Sequence, residues 1–265
     1  MNWERINQLR RLRRLSWTKT IFLNFSMLPF KQAAKLPIIC TRYTYFYSMP
    51  GRIVLTQPAR FGMVRLGYFG EDVVTPKDAR TLLQIEGTWE TAGNVHLGLG
   101  VVMRIERGAT FATETNVRIS NRTKIICYDN IRVCHDTRIA WECQIIDTTF
   151  HYMRNIADGS VTELTKPIRV GAHNWIGNRA NIMKGAYLPD YTIVAAGSLC
   201  NKHYDFPEKS MIAGSPAKLV KTGIYRCLDD EEGEIKALKA KQLATRGGGY
   251  NSLTVSGIAD FAAAA

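Results

Sequence analysis

The sequence of 265 residues contains six cysteines (Cys40, Cys127, Cys134, Cys143, Cys200, Cys227) but no Cys-x-x-Cys pair and no zinc-ligand spacing. In a chain this large, cysteines so scattered read as reduced core thiols of a cytoplasmic protein. No uninterrupted apolar run of about 18 residues is present either, which excludes a spanning helix. Lys19, Asn24 and Pro29 break the apolar stretch Leu15–Phe30, and no small-x-small cleavage site follows. A cleavable leader is therefore not expected. Acidic residues are almost missing from one end: the first 60 residues hold Glu4 alone against eleven Lys or Arg, which is +10 of the chain's formal +12. The basicity belongs to that end and not to the whole fold. No nucleic-acid-binding motif accompanies it, so no nucleic-acid partner is expected. Hydrophobic residues at 46% and charged residues at 22% exclude wholesale disorder.

What the sequence does have is a period of six. Val170, Ile176, Ile182, Leu188 and Val194 stand at every sixth position, and Asn174, Ala180, Ala186, Thr192 and Ser198 follow four residues after each. Gly171 and Gly177 come directly after the first two aliphatics, where a turn is expected. The same phase runs through Val133, Ile139 and Ile145, with Cys127 before them, and a weaker series, Ile105, Phe111 and Val117, lies upstream past a register slip. Neither the helical period of 3.6 nor the strand period of 2 produces this spacing. It suits a short strand plus a corner, with the aliphatic residue inside a narrow prism and the small residue letting the next coil stack close. The predicted architecture is an all-β, parallel β-helical solenoid of about twelve hexapeptides, or about four coils, with degenerate opening coils in residues 51–99.

The register breaks once. Ile145 and Val170 are 25 residues apart, one more than four sixes. The polar segment 150–167 between them has no hexapeptide character and must leave the prism as a loop. Its approach reads Asp147-Thr148-Thr149-Phe150-His151.

The runs Asn174-Trp175-Ile176-Gly177-Asn178, Val194-Ala195-Ala196-Gly197-Ser198 and Ala213-Gly214-Ser215-Pro216-Ala217-Lys218 resemble the hexapeptide-repeat acyltransferases. The likeness covers roughly residues 100–226 and leans toward the sugar and polysaccharide O-acetyltransferases. Ser26–Pro37 is also similar to the lead-in of the polysaccharide-type members. The resemblance implies a left-handed parallel β-helix, a homotrimer, and transfer of an acyl group from acetyl-CoA (or another acyl-CoA) to a hydroxyl, with no metal.

Such a transfer needs a base for the hydroxyl proton, donors for the developing oxyanion, and positioning of both substrates. The resemblance makes His151 the base, with Asp147 four residues earlier to orient it; the plainer readings are an exposed loop histidine and a corner carboxylate bonding local backbone. It gives the pantetheine arm of the donor the backbone of Asn178 and Ala196, continued by Asn201 and Lys202. Lys202, Lys218 and Lys221 would meet its phosphates, although two of these stand where sugar acetyltransferases often carry arginine. For the sugar or glycan acceptor, Asn121 and Trp141 are candidates, against a corner amide and a packed aromatic. His135 and His173 raise the alternative of a zinc-dependent carbonic anhydrase-like enzyme, and a non-catalytic binding or assembly solenoid is a third reading.

Four segments result: a basic lead-in or cap (1–50), the β-helix (51–205), a coenzyme A-binding segment (206–226) and an acidic, helical and low-complexity tail (227–265). In the lead-in, Arg10-Arg11-Leu12-Arg13-Arg14-Leu15-Ser16-Trp17 interleaves cations with apolar residues. It suits peripheral contact with an anionic inner-membrane surface, or simply a solvated helix or a cap on the first coil. In the tail, Glu234–Arg246 reads as a helix and Gly247–Ala265 as disordered.

Overall fold

One residue in each late hexapeptide adopts a left-handed backbone: His173 (φ 56°), Arg179 (60°), Gly185 (77°), Tyr191 (54°) and Gly197 (70°). Each stands three positions after a core aliphatic and directly before a small residue, so it turns the chain sharply between two flat strands. That corner is the physical origin of the period of six. The structure is a computed structural model that describes residues 14–68, 79–227 and 229–245. Contacts divide the chain into two units, residues 1–226 and 227–265.

The first unit is a three-sided parallel β-helix. Its strands β1 (Ile38–Cys40) to β22 (Ala217–Thr222) fall into sheets of nine, seven and six strands, each sheet taking every third strand until the last two, which both join the nine-stranded sheet. The described residues thus form six complete three-strand coils, the last ending at β18 (Tyr187–Leu188), followed by β19 (Ile193–Val194), β20 (Leu199–Cys200) and β21 (Ser210–Gly214). Besides the about four regular coils they include the degenerate opening coils expected in residues 51–99, and the first coil opens at Ile38, ahead of the boundary drawn at residue 51. The opening coils have long connections that dilute the period. Ile176 pairs with Val194 and Val194 with Ile212, eighteen residues apart each time. Ile119 pairs with Ile139, twenty residues on, and Val64 with Val95.

Register stacks like on like. Ile119, Ile139, Ile176, Val194 and Ile212 form one internal column, each at most 1% exposed. Full burial of such a side chain stabilises the fold by about 1.5–3 kcal/mol. The small residues Asn174, Ala180, Ala186, Thr192 and Ser198 are buried as expected. Gly177 has a different reason from the expected turn. A Cβ there would lie 2.6 Å from the Ala196 nitrogen, so the next coil's backbone occupies the space a side chain would need.

Stacked coils leave open strand edges at their ends, and added elements meet one of the three sheets at each. Helix α1 (Trp17–Met27), N-capped by Ser16, lies against β1. Asn24 Nδ2 donates to the Ile38 carbonyl at 2.7 Å, Asn24 Oδ1 accepts from the Ile38 amide at 3.1 Å, and Thr20 Oγ1 accepts from the Cys40 amide at 3.0 Å. Lys19 donates to the Arg42 and Thr44 carbonyls. A short helix α2 (Phe30–Ala33) follows α1. At the other end, β22 pairs antiparallel with β21 and forms the last strand of the nine-stranded sheet.

All six cysteines are free and none lies open at the surface. No helix among the described residues is long and apolar enough to cross a membrane. The second unit contains helix α3 (Asp229–Thr245), which overlaps the helix expected at Glu234–Arg246. The expectation for Gly247–Ala265, and the Arg10–Arg13 part of the basic cluster, lie outside the described residues.

Candidate active site

Between β14 (Gln144–Ile146) and β15 (Ile168–Val170) the chain leaves the prism, and residues 147–167 form the extruded loop. The excursion folds back as a small hairpin, with antiparallel bridges Thr148–Thr165 and Arg154–Val161. Its root is pinned at several points. The Lys166 amide donates to the Asp147 carbonyl, the Thr149 amide to the Leu164 carbonyl, and Lys184 Nζ to the Glu163 carbonyl. Sequence reasoning missed Lys184, which reaches across from the next coil.

Asp147 and His151 share the loop root but face different surroundings. Asp147 is fully buried; its Oδ1 accepts from the Tyr128 amide at 2.7 Å and its Oδ2 from the Asp129 amide at 2.9 Å. Burial raises its carboxyl above the ordinary value, outweighing the two amide bonds and the Cys127 thiol that oppose the shift. Both oxygens are engaged downward, and no hydrogen bond joins Asp147 to the His151 ring among the described residues. Asp147 thus fixes where the loop departs and does not orient the imidazole. His151 is exposed, with its carbonyl accepting from Thr149 Oγ1 at 3.1 Å, so its backbone is held while its ring faces outward.

Asn178 is half-buried and its carbonyl accepts from the Gly197 amide at 2.9 Å, tying two corners together beside exposed Ala196. Asn201 and Lys202 are exposed on the next side, with Lys202 Nζ 5.5 Å from the Tyr204 ring. Lys218 and Lys221 are exposed on β22. Three positions apart, they would face opposite sides of a regular strand. Here Lys218 pairs with Ala213 and Lys221 with Met211, because the register slips by one residue between Met211 and Ile212. Ala213 and Met211 share a face, so the bulge turns both lysines to the outer side of the hairpin.

The acceptor candidates separate. Asn121 is 5% exposed, and its Oδ1 accepts from the Leu99 amide at 2.9 Å. It is a corner amide joining successive coils and is closed to a sugar. Trp141 is half-buried.

One corner carries a side-chain ladder. Asn94 donates to Asn116 at 3.0 Å, Asn116 donates to Asp136 at 2.5 Å, His173 stacks on Tyr191 with centroids 4.3 Å apart, and Lys209 lies 5.5 Å from the Tyr191 ring. Desolvation by burial holds the His173 imidazole below its ordinary pKa. One ligand atom each from His135, Asp136 and His173 lies within 4.8 Å of the others. Within it His135 Nδ1 stands 3.0 Å from Asp136 Oδ2.

No family model matches the chain. A protein of Escherichia coli (strain K12), provisionally named as the lipopolysaccharide biosynthesis O-acetyl transferase WbbJ, is 26% identical over 46% of this chain and 66% of its own length. A provisionally named acetyltransferase of Saccharomyces cerevisiae is 26% identical over 43% of this chain and 54% of its own. The chain thus spans less than two thirds of either relative. Among solved structures, the polySia specific acetyltransferase NeuO superposes with a TM-score of 0.53 at 15% identity, covering 79% of this chain and 94% of that one. The fold is a left-handed parallel β-helix, shared with that acetyltransferase.

Proposed function

We propose that this chain is a CoA-dependent O-acetyltransferase that moves an acetyl group from acetyl-CoA to a hydroxyl of a sugar or surface-polysaccharide precursor. The observation that carries the reading is the exposed His151 on a pinned, extruded loop of a hexapeptide solenoid. The imidazole removes the hydroxyl proton as the alcohol oxygen attacks the thioester carbonyl, and the thiolate leaves and takes up a proton. Asp147 is a positioning residue for the loop. The exposed backbone at Ala196, with Asn178, Asn201 and Lys202, lines the donor arm, and Lys218 and Lys221 meet its phosphates. Trp141 remains the acceptor-side candidate. The relatives' names, which are acetyltransferases, support the reaction class.

A narrow prism has flat sides, so an extended donor needs a groove between two neighbours, and we propose a homotrimer with three such grooves. The reduced cysteines support a cytoplasmic setting. The deciding experiment is a panel of glycan acceptors with acetyl-CoA, following free thiol. An acetyltransferase releases thiol in an acceptor-dependent way; release of none across the panel favours a binding solenoid.

Lys218→Ala is expected to raise the donor KM with little change in kcat, because a phosphate contact is present in both the ground and transition states. Added salt should reproduce the effect, since the side chain is exposed. An unchanged donor KM would remove Lys218 from the donor site.

A further inference from the structure

Helix α1 is amphipathic in a reversed sense. Its inner face includes the polar pair Thr20 and Asn24, which bond β1, beside Leu23 and Met27. Its outer face presents Trp17, Ile21, Phe22 and Phe25, each between 45% and 55% exposed, and α2 adds Phe30 at 74%. These side chains touch their neighbours: Phe25 meets Phe30 and Phe22 meets Phe46, both with ring centroids 5.7 Å apart. Lys19 Nζ lies 4.1 Å from the ring of Tyr45, which is itself 39% exposed. The exposed rings thus form paired contacts beside one helix face, not a scatter of single exposed residues. Capping the solenoid does not require it, because the polar inner face performs that task.

The surrounding charge selects the occupant. From Arg5 to Gly70 there is no Asp or Glu. Lys31, Lys35 and Arg42 are exposed in the same segment. A second copy of this face would set like charges against each other. An anionic bilayer surface accepts both features, taking aromatic rings at headgroup depth and placing lipid phosphates beside the cations. We infer that the outer face of α1, together with Phe30, lies in the surface of an anionic membrane and holds the first coil of the solenoid there. The inference stands apart from the acyl-transfer reading, since binding is measured without substrates.

The test uses the full chain with sucrose-loaded vesicles of equal parts phosphatidylcholine and phosphatidylglycerol. The parent protein should sediment with them, less so at high salt and less so with phosphatidylcholine alone. The double substitution Phe25→Ser with Phe30→Ser should weaken partitioning by about tenfold or more, and Lys31→Glu with Lys35→Glu should weaken it and flatten its salt dependence. Melting temperature and light-scattering mass should hold, because the replaced side chains lie outside the core. Should the Phe double variant lose stability, Trp17→Ser carries the same comparison. The inference is overturned if the parent ignores anionic vesicles, or if the stable aromatic variant sediments as fully as the parent. It is also overturned if that variant's solution mass falls, which would mean a second copy covers the face.

Discussion

His151→Ala is expected to lower turnover by roughly 10²–10⁴-fold while donor KM and stability hold. The imidazole is exposed, so its removal opens no cavity. Among the described residues its hydrogen bond uses the backbone carbonyl, which alanine keeps. Steady-state kinetics with acetyl-CoA and the best glycan acceptor measures the effect. Near-normal turnover would exclude His151 as the base. The same variant tests the shared groove. If His151 and Lys218 at one site come from different chains, mixing His151→Ala with Lys218→Ala subunits restores both residues in about a quarter of sites. Activity no higher than the parental average, after confirmed subunit exchange, would reject the cross-chain arrangement.

The second large effect concerns Asp147, and here the readout is stability. Asp147→Ala strands the Tyr128 and Asp129 amides, each left unsatisfied at a cost of about 1–3 kcal/mol. Relief of the buried charge offsets part of this. Asp147→Asn should rescue poorly: its single carbonyl oxygen serves one amide and its NH₂ faces the other. A loss of about 2–4 kcal/mol corresponds to a fall in Tm of roughly 4–16 °C for a domain of this size. The pH dependence has a definite sign. Burial raises the Asp147 carboxyl, so the folded state holds the proton more tightly than the unfolded state. Its contribution is therefore greatest at acid pH and declines as pH rises from the ordinary carboxylate value through the raised one. Asparagine does not titrate, so the gap between parent and Asp147→Asn should narrow over that interval. A widening gap in thermal melts across that range would contradict the burial argument. Loss of turnover in Asp147→Asn should follow loop disorder, seen as faster proteolysis within 150–161, and not a changed acid–base profile.

The sequence alone carried the solenoid, because stacking places a hard demand on every sixth position. Val170, Ile176, Ile182, Leu188 and Val194 must fill the prism, and the small residues four places on must clear the neighbouring coil. The extruded loop was legible for the same reason, since one polar insertion cannot enter so narrow an interior. His151 and Asp147 stood out by their place at its root. The tertiary structure decided what a short-range period cannot encode. Coils near the first strand have longer corners, so their register shows only as pairing, as of Val64 with Val95. The direction of a polar side chain depends on the coil beneath it, which is why Asp147 bonds the Tyr128 and Asp129 amides and Asn121 bonds Leu99. A one-residue bulge turned Lys218 and Lys221 to the same side. In-register stacking also gathered Arg65, His96, Arg118 and Arg138 into one outward column, where burial and the three arginines lower the His96 pKa to about 4. Those four residues span more than seventy positions of sequence. Only the winding of the chain, one coil per strand spacing, makes them neighbours.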